Sequence, residues 1–412
     1  MKWSARGVDP AIVSGGKLRA TEHGLRILFV INDMGLGGAE IQVASLAKHL
    51  AARGHVVHVC VLMRFLEYEA ELNSAGVGTT ALEMTKARPD PRALLQFAAL
   101  LRDYRPDVVH GHLFASIVLT RVARIIVPYP VQVSTTHSSH EWPLRYKALG
   151  LTDPLCDLWT NVCQPGLECY LKAGAVAASK AAHTPNGIDV ERFARPCESA
   201  RASLRSRLQI PSGFVWLAVG SFRDEAKDYS NLLRAFKHLR ASAPERDTWL
   251  WIAGDGALRG AKEALAHQLG VADRIRFLGL RTDVNELMWA ADAFVLGSAW
   301  EAHSIVLLEA AAASLPSVAT DVGGNAQVVK SGQTGFTVPP HDHTALAKAM
   351  LRMLESSSAT LAEMGRTARN LAERDYSLEV VVKGWEARYR ELLGKRPRRR
   401  IAAPRPRQAR SS

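Results

Sequence analysis

Residues 293–310 read AFVLGSAWEAHSIVLLEA, and the order of residue types in this stretch decides the fold. Its first four residues form a short apolar run typical of a buried strand, which ends at Gly297. A helix is predicted to begin near Ser304, because apolar residues then follow at helical spacing. One carboxylate, Glu301, lies in the strand-to-helix loop, and another, Glu309, lies in the helix. Free amides at the helix start suit a phosphate and the carboxylates suit hydroxyl groups, so the stretch fits a ligand with both parts. Two glutamates at this spacing are equally found on solvated helices.

The first half of the chain repeats this order of a strand followed by a helix. The runs at 26–31, 56–61, 107–110, 131–135 and 158–162 are predicted strands. Alternation of such strands with helices of ordinary length predicts a parallel, doubly wound α/β sheet. Ligands in such sheets bind beyond the carboxyl ends of the strands, and His112 and His137 each follow one of these ends. A lone histidine is more often structural, and His110 is an alternative partner.

Two loops carry the residue types that bind phosphate. Residues 35–40 read GLGGAE between the first strand and a helix predicted from Ala39. Such a loop is either a tight turn or a place where backbone approaches a phosphate. The second half opens with a strand at 214–220, and its loop carries Arg223 and Lys227, which either face an anion or are solvated.

Composition limits the class of protein. The chain has 412 residues, 47% of them hydrophobic, and can form two domains of ordinary size. Its five cysteines are scattered, with no Cys-x-x-Cys pair, and predict reduced thiols of a cytoplasmic protein. No apolar run reaches the ~18 residues of a membrane span, and residues 1–24 predict a disordered leader.

The positive charge is concentrated at the end of the sequence. Residues 395–410 contribute eight basic and no acidic side chains to a net charge of +12, so the rest of the chain carries +4. Such a tail suits anionic lipid headgroups or nucleic acid, and it is equally typical of a solvated disordered end. We expect an anionic membrane surface as the partner, and no nucleic acid.

The motifs together resemble the family-four glycosyltransferases of GT-B fold, whose signature is Glu-x7-Glu. Glu301 and Glu309 match that signature, and further matches lie at 35–40, 107–112, 184–189, 251–259 and 315–324. The resemblance implies two Rossmann-like domains facing a central cleft. It also implies transfer of a hexosyl unit, with retention of configuration, from a nucleoside diphosphate sugar to a hydroxylated acceptor.

The resemblance implies roles for particular residues. Catalytic roles fall on His112, Glu301, Lys227 and Arg223, donor contacts on Gly37, Gly38, Gly220, Leu280, Ser304, Ile305, Val306 and Glu309, and acceptor contacts on His137 and Asn186. No metal ligand and no cofactor is expected besides the sugar nucleotide, because the sequence has no Asp-x-Asp motif.

Three positions depart from the family pattern. Ser221 stands where the family usually has arginine, so either Arg223 supplies the second cation from a shifted position or the site uses one cation. Ala302 replaces a glycine after the first motif glutamate, and Gln327 replaces a glutamate. Ala302 and His303 reshape the floor of the predicted pocket.

The predicted organisation is a leader at 1–24, an acceptor-side domain at 25–205 and a donor domain at 213–376. A return helix at 377–394 and a basic tail at 395–412 follow. We predict a cytoplasmic enzyme, peripheral at the inner face of the plasma membrane, whose acceptor is a lipid-linked or surface polysaccharide intermediate. The alternatives are a synthase or phosphorylase acting on a soluble sugar, a sugar-nucleotide epimerase of the same fold, and a non-catalytic scaffold that binds glycans or membranes.

Overall fold

The computed structural model describes residues 24–35, 37–65, 67–85, 91–210 and 212–395. The predicted leader, up to residue 23, and the predicted tail, from residue 396, lie outside the described residues. The described chain forms two parallel sheets, one of seven strands and one of six. The predicted α/β architecture of two doubly wound domains is therefore confirmed.

The first sheet takes its strands from the first half of the chain. They are β1 (Arg26–Ile31), β2 (Val56–Val61), β3 (Gly78–Ala81), β4 (Val108–His112), β5 (Val131–Thr136), β6 (Leu158–Asn161) and β7 (Ala181–His183), in the spatial order β3-β2-β1-β4-β5-β6-β7. The connecting helices are α1 (Gly38–Ala52), α2 (Glu69–Ser74), α3 (Pro91–Tyr104), α4 (Phe114–Ile126), α5 (Pro143–Thr152) and α6 (Gln164–Lys172).

The second sheet is built in the same way. Its strands are β8 (Phe214–Val219), β9 (Thr248–Ala253), β10 (Ile275–Gly279), β11 (Ala293–Leu296), β12 (Ser317–Thr320) and β13 (Gly335–Val338), in the order β10-β9-β8-β11-β12-β13. Its helices are α7 (Glu198–Arg207), α8 (Tyr229–Ser242), α9 (Arg259–Gln268), α10 (Val284–Ala290), α11 (Ile305–Ala312), α12 (Asn325–Val328), α13 (His343–Leu354) and α14 (Ser358–Leu371).

Strand β4 extends two residues beyond its prediction and ends at His112. Glycine is unfavourable in most strands, so the predicted strand ends before Gly111. Here a Cβ on Gly111 would lie 2.8 Å from Oγ1 of Thr120. The glycine therefore lets α4 pack closely on the sheet, and its neighbour His112 is the last residue of the buried strand.

The chain crosses between the domains twice, and the two crossings pair with each other. The amide of Ile188 donates to the carbonyl of Tyr376 at 2.7 Å, and the amide of Leu378 donates to the carbonyl of Ile188 at 2.9 Å. Ile188 and Phe193 already belong to the apolar core of the second domain. The predicted domain end at 205 falls inside α7, which packs on the second domain through α10.

The last helix, α15 (Leu378–Gly394), follows a π-helical turn at Ala372–Tyr376 and returns to the first domain. Val382, Trp385 and Tyr389 are buried among the core residues of β1, α1 and β5. Helix α15 completes one face of the first sheet, while α3 and α4 cover the other.

Candidate active site

Glu301, in the loop between β11 and α11, forms an ion pair with Lys227. Lys227 Nζ lies 2.5 Å from Glu301 Oε1, and the Ser298 hydroxyl donates to the same oxygen at 2.8 Å. Both charged side chains are largely buried. The lysine stem covers Gly220, where a Cβ would lie 2.8 Å from Lys227 Cε. Gly220 therefore permits the lysine to reach across from the end of β8.

Helix α11 begins at Ile305, four residues after Glu301. Ser304 precedes the helix, but its side chain makes no capping hydrogen bond. Its hydroxyl is buried and has no partner among the described residues. The first amides of a helix, here including those of Ile305 and Val306, have no acceptor within the helix. Such an end suits a negatively charged group.

Glu309 lies one turn into α11, as the spacing predicts. Burial raises the pKa of its carboxyl to about 7, and the positive charges of Arg192 and Lys227 oppose that shift. Its side chain makes no hydrogen bond with any residue in the described part of the chain. A desolvated carboxyl with free acceptor oxygens is suited to bind hydroxyl groups of a ligand.

Three histidines are close together where β4 and β5 end. Nδ1 of His112 lies 3.0 Å from Nε2 of His137, which brings the two predicted site histidines into contact. Burial, with the neighbouring His110 and His137, lowers the pKa of His112 well below its usual value. Burial also lowers the pKa of His137 to about 4. Both rings are therefore neutral at physiological pH.

His110 and His112 differ in their partners. His110 bonds through both ring nitrogens, to the Tyr389 hydroxyl at 2.7 Å and to Thr135 Oγ1 at 2.6 Å. Nε2 of His112 is buried and has no partner among the described residues. His110 therefore supports the packing of α15, whereas His112 has one ring nitrogen without a partner in the described chain.

The glycine-rich loop brings the first domain against the second. A Cβ on Gly38 would lie 3.4 Å from Cγ1 of Ile305, so the loop reaches the start of α11. A Cβ on Gly37 would clash with the carboxylate of Glu40, which folds back over the helix start. Arg223 is exposed. Burial raises the pKa of the Glu40 carboxyl, and the nearby charge of Arg223 opposes that shift. Both predicted loops thus face one cleft.

The other two predicted contact residues, Leu280 and Asn186, differ in exposure. Leu280 follows the end of β10 and is 67% exposed, so it is open to a ligand. Asn186 is buried, and its side-chain amide donates to the carbonyl of His303 at 3.0 Å, while its backbone amide bonds to His303 Nδ1 at 3.3 Å. Asn186 therefore links the two domains through His303, and its predicted acceptor contact stays a prediction.

Sequence reasoning missed two residues of this site. Ser298 orients Glu301, and its signal was present, because it is the first polar residue after a buried strand. Arg192 lies near enough to Glu309 to affect its pKa, but it belongs to a connector 117 positions upstream. No local pattern could place it there.

The described residues contain neither a candidate metal site nor a membrane-spanning helix. No group of three or more histidine, cysteine, aspartate or glutamate side chains is arranged to hold a metal ion in that part of the chain. No helix within the described ranges combines the length and the apolar character that a membrane span requires. The five cysteines of the described chain are free thiols.

Comparison with known families agrees with this arrangement in both halves of the chain. Residues 36–192 match the family described as Glycosyltransferase Family 4, and residues 201–371 match Glycosyl transferases group 1. The chain is a group 1 glycosyltransferase of GT-B fold. The two matches meet between residues 192 and 201, close to the first crossing of this glycosyltransferase.

Named relatives of the glycosyltransferase act on different acceptors. The chain is 26% identical to the UDP-Gal:alpha-D-GlcNAc-diphosphoundecaprenol alpha-1,3-galactosyltransferase of Escherichia coli, over 68% of this chain and 74% of that one. It is 24% identical to the N-acetyl-alpha-D-glucosaminyl L-malate synthase of Bacillus anthracis, over 87% and 95%. The structure of Anabaena HepE in complex with UDP superposes with a TM-score of 0.78 at 20% identity, over 89% of this chain and 99% of that one.

Proposed function

We propose that this glycosyltransferase retains configuration, needs no metal, and moves a hexosyl unit from a nucleoside diphosphate sugar to a hydroxylated acceptor. The observation that carries the proposal is the Lys227–Glu301 pair at the open start of α11. It places a cation, a carboxylate and free amides around one point. A diphosphate joined to a sugar has negative charge for the cation and the amides, and hydroxyl groups for the carboxylate.

Departure of the nucleoside diphosphate is the step that needs charge stabilisation. Lys227 and Arg223 offset the charge that grows on the leaving oxygens, and the amides of Ile305 and Val306 donate to phosphate. These fixed groups do the work that a divalent cation does elsewhere. Glu309 accepts hydrogen bonds from the ribose hydroxyls, and Glu301 orients the sugar.

The reacting carbon is approached from the first domain. His112 is hydrogen-bonded to His137 through Nδ1. Its unpartnered Nε2 stabilises the positive charge that develops on the sugar. The acceptor attacks on the face from which the diphosphate leaves, and its proton passes to a leaving phosphate oxygen. No separate protein nucleophile is needed, unlike in the double displacement of retaining hydrolases.

The relatives support the class of acceptor. The Escherichia coli relative is named for a diphosphoundecaprenol-linked acceptor, and a relative from Rhizobium meliloti is a lipopolysaccharide core biosynthesis glycosyltransferase. We therefore propose a lipid-linked or surface polysaccharide intermediate as acceptor. The enzyme then works in the cytoplasm at the inner face of the plasma membrane, in contact with anionic lipid.

Turnover of a panel of nucleoside diphosphate sugars, followed by mass spectrometry, tests this function. We expect one donor to release its nucleoside diphosphate, with the anomeric configuration of the sugar kept in the product. Activity should persist in a chelating agent. Release from no donor would favour the scaffold alternative, and an inverted product or restoration by a divalent ion would contradict the proposed mechanism.

A further inference from the structure

Helix α5 and the residue before it carry large apolar side chains that are exposed to solvent. Trp142, Leu144 and Leu151 are 73%, 78% and 83% exposed. Leu144, Lys147 and Leu151 follow one another at spacings of three and four residues, so they share one side of the helix. Exposed apolar side chains that cluster on one surface mark an interaction site.

The opposite side of α5 is fixed to the first domain. Leu149 is fully buried in a cluster with Trp159 and Tyr170. Arg121 of α4 is also buried, and it donates to the carbonyl of Leu149 at 3.0 Å. The helix is therefore held in place, and the exposure of its outer side is a property of the fold.

The end of α4 lies beside the end of α5 and also carries an exposed apolar residue. Arg124 donates to the carbonyl of Leu155, just beyond α5, at 2.8 Å. The next residue along α4, Ile125, is 67% exposed. We call Trp142, Leu144, Lys147, Leu151 and Ile125 the α5 face.

We propose that the α5 face docks on a phospholipid bilayer and so holds the catalytic cleft beside a lipid-carried acceptor. The mixture of residues on this face favours a bilayer over a second copy of the chain. Tryptophan lies at headgroup depth in membranes, leucine and isoleucine enter the acyl boundary, and lysine remains among the phosphates. The core of a protein interface is instead depleted in lysine.

The position of the face relative to the cleft agrees with this partner. His137, which contacts His112, lies five residues before Trp142, in the loop that joins β5 to α5. An acceptor anchored in the bilayer would therefore reach the cleft along this loop. This step rests on the proposed function, because it takes the acceptor to be linked to a lipid.

Sedimentation of the full chain with sucrose-loaded vesicles tests the face directly. The vesicles contain phosphatidylcholine, with or without phosphatidylglycerol. We expect W142S/L144S/L151S to lower the partition coefficient at least about tenfold, because three large apolar side chains no longer enter the interface. Lys147→Glu should weaken binding to the anionic vesicles more than to the neutral ones.

A matched control is Val380→Ser, which removes an exposed apolar side chain from α15 on the opposite face of the sheet. It should bind vesicles as the unaltered chain does. The triple variant should keep turnover with a short water-soluble acceptor and lose it with an acceptor embedded in vesicles. This difference separates docking from damage to the active site.

Three results would overturn the docking proposal. They are an unaltered chain that does not bind vesicles, a triple variant that binds them normally, and a dimer by light scattering that the triple variant dissociates without change in vesicle binding. The second result would assign binding to another part of the chain, such as its basic end. Failure of the proposed function is a separate outcome, because it appears as no donor turnover in solution whatever the vesicle result.

Discussion

Lys227 pairs with Glu301, and in the proposed mechanism it is the cation that meets the diphosphate. Its stem is held over Gly220, and Glu301 is held in turn by Ser298. Lys227→Ala should raise the barrier to turnover by about 2–4 kcal/mol, because charge on the leaving group is then offset by fewer fixed donors. Steady-state kinetics measures the loss, and circular dichroism should show an unchanged fold. Normal turnover would remove Lys227 from the mechanism.

The two motif glutamates should separate in their effects on binding and turnover. Glu309→Gln should weaken nucleoside diphosphate binding by ~1–3 kcal/mol, because the ribose is bound equally in the ground and transition states. Glu301→Gln should mainly lower turnover, because the sugar changes shape and charge during the reaction. Calorimetry with the nucleoside diphosphate, beside kinetics, measures both. Equal loss of nucleotide affinity in the two variants would contradict this division.

Glu309 also makes stability depend on pH. Its folded pKa of about 7 lies above the ordinary 4.5, so the folded state binds more protons between these values and stability falls as pH rises through them. Glu309→Gln should raise the free energy of unfolding by ~1–2 kcal/mol at pH 8, since its partial solvent contact reduces the effect, and by almost nothing at pH 4. Urea unfolding at both pH values measures the difference. An equal effect at both would contradict a raised pKa.

Asn186 joins the two domains through its hydrogen bonds to His303. Asn186→Ala should lower the free energy of unfolding by ~1–2 kcal/mol, because the His303 carbonyl then loses its buried donor. Asn186→Asp has a side chain of similar size that keeps an acceptor but lacks the donor. It should lower the free energy of unfolding by at least the same amount. Thermal unfolding compares the two. A variant as stable as the unaltered chain would show that the junction does not rely on this contact.

Most elements could be predicted from local sequence, whereas most contacts of the site could not. The strand before Glu301 and the helix carrying Glu309 follow from apolar spacing, which records burial. The contact between His112 and His137 joins two strand ends, and only the parallel pairing of β4 with β5 brings them together. The bond between Asn186 and His303 spans 117 positions and two domains. Such pairs depend on tertiary packing, which leaves no periodic signal.

The molecule as a whole relies on its last helix to complete its first domain. Trp385 is buried against His110 and Tyr389, with ring centroids 4.6 Å and 5.5 Å apart. Trp385→Ala should destabilise the first domain by ~3–5 kcal/mol, although the residue lies far from that domain in sequence.

Urea unfolding followed by hydrogen exchange assigns this loss to one domain. Protection in β1 and β4 should fall, while protection in the second sheet changes little. The exposed neighbour Val380, changed to serine, should alter stability by less than about 0.5 kcal/mol. Equal loss of protection in both sheets would mean that the domains unfold as one unit.

The paired crossings at Ile188 and Leu378 determine where a chimera of this enzyme and a relative can be joined. A gene fusion with one cut near residue 187 would separate the first half from the helix that completes its core. A working chimera has to insert the donor half as a cassette, with one junction at each crossing and the native final helix retained. Exchange of sugar specificity between such enzymes is therefore a domain-insertion problem.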